Sequence, residues 1–211
     1  MSAALRDVRS SDWASASGSA PVVAVLLHGY GSNEHDLTGL VEPLGLEMPW
    51  VSLRAPLEMG HGGAAWFEIT TPGNPDPEPI AETTDAVWGW IDEHVSSVAR
   101  ILPIGFSQGG FMASQLLRTR PERVLAPIIL AGFVLSAPQP GDEAVAASRP
   151  AVFWGRGTED RVIAEPAVAR TASWLPLHTT LTERTYPGLA HGINQAELDD
   201  VRTFLAAHLP S

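Results

Sequence analysis

The sequence has no cysteine. Disulfides, thiolate metal sites and a cysteine nucleophile are therefore all excluded. Positive charge is scarce as well: 13 Lys and Arg stand against 24 Asp and Glu, a formal net charge of -11. Such a balance speaks against nucleic acid or an anionic membrane surface as the main partner. Long apolar runs are also missing. The longest, around Val22 to Leu27, is far too short to cross a bilayer, and the first residues, M-S-A-A-L-R-D-V-R, contain no apolar core of a secretory signal. No close histidine pair with neighbouring carboxylates has the spacing of a metal site. The expectation is a cytoplasmic protein with no metal or cofactor and no stable membrane insertion.

What remains is an ordinary globular composition, with 45% hydrophobic and 18% charged residues in 211. That favours one domain over residues 1–211 with a sizeable core. Residues 1–20, rich in Ser and Ala, read as a loosely ordered lead-in with a short edge strand near Leu5 to Val8. Val22–Leu27 (V-V-A-V-L-L) reads as a buried strand, followed by a helix from about Asn33 through Val41. Trp50–Leu53, Ile101–Ile104, Val124–Leu130, Ala151–Trp154 and Thr179–Tyr186 are further strands. Helical patterns lie between them at 80–98, 111–117 and 165–174, and 195–208 closes the chain. Residues 57–79 form a long irregular stretch, and loops of that length in a compact domain are often functional. Alternating strands and helices imply an α/β fold, a doubly wound and mostly parallel sheet with helices on both faces.

The chemistry concentrates where strands end. Gly105-Phe106-Ser107-Gln108-Gly109 is a G-x-S-x-G between a strand and a helix, the context of a nucleophile elbow. Side chains two residues to either side of Ser107 would collide, so Gly105 and Gly109 leave room, and Ser107 is expected at strained backbone angles. A serine hydroxyl needs a base, and the base needs an orienting group. Asp160 and His191 follow later strands, and the order Ser…Asp…His is that of α/β-hydrolases. Glu159 and Asp142 compete with Asp160, which has a tight turn before it and apolar Val162 and Ile163 behind it. His28 is expected to shape the turn after the first long strand. The N–H groups of Gln108 and Tyr30 are the expected oxyanion donors.

The segments L-H-G-Y-G-S, R-A-P with G-G-x-x-W-F, G-F-S-Q-G-G, G-T-E-D-R-V-I and G-L-A-H-G-I, in this order, resemble the phospholipase/carboxylesterase family of α/β-hydrolases, which includes acyl-protein thioesterases and small bacterial carboxylesterases. The resemblance runs from about Val22 to His208. It implies a Ser107–Asp160–His191 triad, an oxyanion hole at Tyr30 and Gln108, and a substrate pocket beside Trp66 and Phe67. Arg156 stands where the family usually has His, Ala164 where it often has Pro, and Ala190 where it often has Gly.

The activity expected is a serine carboxylesterase cleaving small acyl esters or thioesters through an acyl-enzyme. Leu57, Met59, Trp66, Phe67 and Phe133 are expected to line an apolar site for short to medium acyl chains. A catalytically silent binding module, and a dedicated acyl-protein thioesterase or lysophospholipase, are the alternatives. A homodimer is left open. Dienelactone-hydrolase-like enzymes use a cysteine, which this chain lacks.

Overall fold

The computed structural model describes residues 5–16 and 18–209. Its strands are β1 (Asp7–Arg9), β2 (Val22–Leu27), β3 (Trp50–Leu53), β4 (Leu57–Glu58), β5 (Ala64–Ala65), β6 (Arg100–Phe106), β7 (Ile128–Leu130), β8 (Ala151–Gly157) and β9 (Thr180–Tyr186). The helices are α1 (Trp13–Ala16), α2 (Val41–Leu44), α3 (Pro77–His94), α4 (Gln108–Thr119), α5 (Asp142–Ser148), α6 (Glu165–His178) and α7 (Gln195–His208). β4 and β5 pair only with each other, and the rest form one sheet in the order β1-β3-β2-β6-β7-β8-β9. β1 runs antiparallel to β3 and every other neighbour pair is parallel.

The alternation of side chains along β2 divides the core. Val23, Val25 and Leu27 face a layer built with α3, α4, α5 and α6; Val22, Ala24 and Leu26 face α2 and α7. Every residue of β2 is buried, and each fully buried Val or Leu contributes about 1.5–3 kcal/mol by leaving water. β2 and β6 are neighbours, but β2 leads outward to β3 and β6 outward to β7. Their carboxyl ends therefore border the point where the strand order reverses, which opens a crevice at the sheet edge.

Some elements depart from expectation for local reasons. After β2 there is only a 3₁₀ turn (Leu37–Leu40) and the four-residue α2, since Gly39 and Pro43 weaken a continuous helix. α3 starts at Pro77, three residues before the expected start, and stops at His94. Pro77 and Pro79 sit in its first turn, where a missing N–H removes no helical bond. β7 begins at Ile128 rather than Val124. Leu125 N–H still reaches Ile101 O (2.8 Å), but Ala126 has a positive φ of 45° and interrupts the ladder. The edge strand expected near Leu5 to Val8 falls slightly later. β1 lies at Asp7–Arg9, Leu5 and Trp13 are buried, and Trp13 meets Trp90 at 5.9 Å. Residues 1–4 lie outside the described residues.

Candidate active site

Ser107 follows β6 directly and has φ 57° and ψ −116°. Two close approaches impose this. A Cβ on Gly105 would strike Gly109 O, and a Cβ on Gly109 would strike Leu27 O at the end of β2. The strand, the turn and α4 thus close on each other with only backbone between them. Ser107 N–H donates to Leu130 O (2.8 Å) and Phe111 N–H to Ser107 O (3.0 Å), so strand β7 and helix α4 pin the turn from both sides.

Asp160 and His191 come from the loops after β8 and β9. These loops are tied together: Thr158 N–H donates to Tyr186 O (3.0 Å), and Glu159 N–H to Leu189 O (3.0 Å). Asp160 Oδ1 accepts from Val162 N–H (2.8 Å) and Ile163 N–H (3.2 Å). Its Oδ2 lies 2.7 Å from His191 Nδ1, and His191 Nε2 lies 2.8 Å from Ser107 Oγ. A carboxylate only accepts, so Nδ1 carries the proton and Nε2 is left to accept the Ser107 hydroxyl. The imidazole also packs on the Phe106 ring at 4.9 Å. The competing acids stand apart: Glu159 is exposed and Asp142 is paired with Arg118 at 2.7 Å.

The loop after β2 lies against the same turn, where a Cβ on Gly109 would also strike His28 O. His28 is fully buried. Its Nε2 accepts from Ala55 N–H (3.1 Å), so Nδ1 donates to Gly29 O (2.7 Å). Burial pulls its pKa down, which keeps the ring neutral. Trp66 Nε1 donates to His28 O (2.8 Å), Gly31 N–H to Ala64 O (2.9 Å), and Ala64 N–H to Ser32 O (2.7 Å). The loop is thereby fastened to β5. Among the described residues, neither Tyr30 N–H nor Gln108 N–H donates to a protein acceptor. Gln108 is also the first residue of α4, whose dipole favours negative charge at this end. Its side chain has a separate task that the sequence did not announce: Oε1 accepts from Trp66 N–H (2.8 Å) and Nε2 donates to Phe67 O (2.7 Å).

Ser107 and His191 open into a cavity of about 280 Å³. Phe67 and Phe133 line it, on either side of Phe111 at 5.0 and 4.9 Å. The other expected wall residues do not. Trp66 is fully buried, clamped by Gln108, His28 and the Thr83 hydroxyl (2.8 Å), and packed 5.4 Å from the His28 ring. Leu57 is 40% exposed and lines a different recess. Met59 sits in the turn that Arg54 holds by donating to Gly62 O (2.9 Å) and Gly63 O (3.1 Å). Hydrogen bonds to Glu58 and Glu34 raise the Arg54 pKa further, so its charge is permanent. The cavity wall comes instead from Ile69, Pro72 and Pro75 of the strap after Phe67 and from Val162, Ile163 and Ala164 after the Asp160 turn. Two segments far apart in sequence build it, and no periodic pattern marks either.

An Oγ–Nε2–Nδ1–carboxylate chain beside two free N–H groups can deprotonate a serine, attack a carbonyl and hold the resulting oxyanion. Among the described residues no helix is long and apolar enough to cross a membrane.

Comparison with known proteins places the fold and the family. The sequence profile of the Phospholipase/Carboxylesterase family matches residues 13–209. Acyl-protein thioesterase 1 of Cryptococcus neoformans is 26% identical over 213 residues, covering 86% of this chain and 90% of that one. Lysophospholipase-like protein 1 of Mus musculus is 31% identical over 140 residues, covering 63% of this chain and 58% of that one. Among solved structures, a Bacillus cereus carboxylesterase superposes with a TM-score of 0.79 at 21% identity, covering 97% of this chain and 95% of that one. A carboxylesterase from Mesorhizobium loti gives 0.76 at 20% identity, covering 96% and 93%. With the fold and the serine turn both in place, the chain belongs to the phospholipase/carboxylesterase family of α/β-hydrolases, a family of carboxylic ester hydrolases.

Proposed function

We propose that the protein is a serine hydrolase that cleaves small carboxylic esters through an acyl-enzyme, with Ser107, His191 and Asp160 as its triad. The observation that carries this reading is the continuous chain Ser107 Oγ to His191 Nε2 (2.8 Å) and Nδ1 to Asp160 Oδ2 (2.7 Å) at the mouth of an apolar cavity. His191 takes the hydroxyl proton as Oγ bonds to the carbonyl carbon. The carbonyl oxygen becomes an oxyanion held by Tyr30 and Gln108 N–H. Collapse breaks the ester bond, and His191 returns the proton to the departing alcohol. Water then repeats the sequence on the acyl-serine and releases the acid. Every proton is handled by His191, so no metal is called for.

The cavity suits the acyl group. The space is finite, at about 280 Å³, and each methylene that enters contributes about 0.8 kcal/mol. The preference follows for short to medium chains, with no gain once the cavity is full. Thioesters fit the same attack geometry and form the second reading. It is supported by the likeness to an acyl-protein thioesterase over 86% of the chain.

Covalent labelling by a fluorophosphonate and turnover of p-nitrophenyl acetate test the reading together. Both are expected in the natural sequence and both are expected to vanish in Ser107→Ala. In a related kind of triad, loss of the serine costs about 10⁶ in kcat. A folded Ser107→Ala protein with unchanged turnover would overturn the assignment.

A further inference from the structure

The walls of the cavity are carbon-rich, and among the described residues lining it only two bear a carboxyl or an imidazole: Asp36 and His191. His191 belongs to the proposed chemistry. Asp36 does not. Among the described residues it enters no salt bridge and its side chain accepts no hydrogen bond, although it stands at the N-cap of the turn Leu37–Leu40. Arg54, just after β3, is shared by Glu34 (2.9 Å) and Glu58 (2.7 Å).

Asp36 also has a definite place. It lies on the loop after β2, beyond Gly29, Tyr30 and Ser32, which line the cavity with it. The apolar strap and Phe133 take the remaining wall. An acyl group laid along the apolar strap leaves the opposite substituent of the carbonyl to the loop that carries Asp36. We propose that Asp36 is the residue that selects the leaving group: it rejects esters of anionic alcohols and favours those of neutral and, above all, cationic ones. The inference rests on the ester hydrolase reading and names the charge class of its substrate.

The physical basis is the field at a narrow mouth. A carboxylate next to low-dielectric walls acts on a charge more strongly than one on an open surface, because field lines run through the cleft rather than through water. The whole chain carries a formal charge of -11, which acts in the same direction. Rejection is as much a part of such selection as attraction. The interaction is screened by salt because Asp36 is exposed.

Three butyrate esters test it: butyrylcholine, its uncharged isostere 3,3-dimethylbutyl butyrate, and an ester whose alcohol carries a carboxylate. At low salt the choline ester is expected to exceed the neutral isostere by about three- to tenfold in kcat/KM, with the difference in KM, and the carboxylate ester to fall below it by a similar factor. Asp36→Asn is expected to bring all three ratios toward one, as is 0.5 M sodium chloride, and Asp36→Lys to reverse their order. Equal ratios in the natural sequence, or ratios that Asp36→Asn and Asp36→Lys leave untouched, would overturn the inference while hydrolysis of the neutral isostere upholds the esterase reading. No hydrolysis of any of the three would overturn both.

Discussion

At one side of the cavity, Ser107 is held by backbone atoms: Leu130 O, Phe111 N–H and the contacts of Gly105 and Gly109. At the other side, the strap from Ile69 to Pro75 is held by side chains from distant parts of the chain. Arg170 of α6 donates to Gly73 O (2.6 Å) across 97 residues, and Ser136 donates to Asn74 Oδ1 (2.6 Å) across 62. The elbow is fixed by backbone contacts with β2, β7 and α4. The strap is fixed by tertiary partners that could be altered one at a time. A fold of this kind can therefore keep the serine turn constant and vary the cavity wall.

Next to the loss of Ser107, the largest effect should come from the acid that meets His191. Asp160→Asn removes the carboxylate that orients His191 and stabilises its charged form, and a change of this type costs about 10⁴ in kcat. Glu159→Gln, one residue away and exposed, is expected to be nearly silent. Steady-state rates on p-nitrophenyl butyrate separate the two. If Glu159→Gln were the crippling change, the proposed acid would be misassigned.

This contrast also decides what could be read from the sequence. The elbow, the order Ser107, Asp160, His191 and the alternation of strands and helices are local or sequential features, and each leaves a residue signature. Helix α7 was legible to the residue because its apolar positions recur at helical spacing. The cavity wall left no such trace. Ile69, Pro72 and Val162 line it because their loops cross in space, and nothing within either loop says that they do. Trp66 misled for a related reason: an aromatic in a Gly-rich loop reads as a pocket wall until His28 and Gln108, both tens of residues away, are seen to bury it.

A middle-sized effect lies at the root of the strap, where adjacent aromatics have opposite roles. Trp66 is fully buried and Phe67 lines the cavity. Trp66→Ala should lower unfolding stability by about 3–5 kcal/mol, with no change in the acyl-length profile of the enzyme that remains folded. Phe67→Leu should cost under about 1.5 kcal/mol and move the preferred acyl chain to greater length. Urea unfolding and a series of p-nitrophenyl esters from acetate to decanoate report both quantities. A chain-length shift in Trp66→Ala and none in Phe67→Leu would exchange the two roles.

The smallest effect should be confined to the strap itself. Arg170 Nε donates to Val134 O (2.8 Å) while Nη2 donates to Gly73 O, so one guanidinium joins the strap to the segment after β7. Burial lowers its pKa, and the nearby Arg118 adds to this; the guanidinium nonetheless stays charged. A hydrogen bond from a charged group contributes about 1.5–3 kcal/mol, but here that energy opposes only the lifting of a few residues. Gly73, tucked against Ala164 and Ala167, is where the strap would come away. Arg170→Gln should therefore leave global unfolding almost unchanged and weaken local protection. Hydrogen exchange is the measurement that distinguishes the two. The Asn74 amide, bonded to Thr71 O at 3.1 Å, is expected to exchange roughly tenfold faster or more, since each 1.4 kcal/mol is a factor of about ten. The amides of α4 are expected to keep their rates, and discrimination between butyrate and decanoate esters should flatten as the wall loosens. If α4 and the strap lost protection together, Arg170 would be part of the global core, and the division between a backbone-held elbow and a side-chain-held strap would fail.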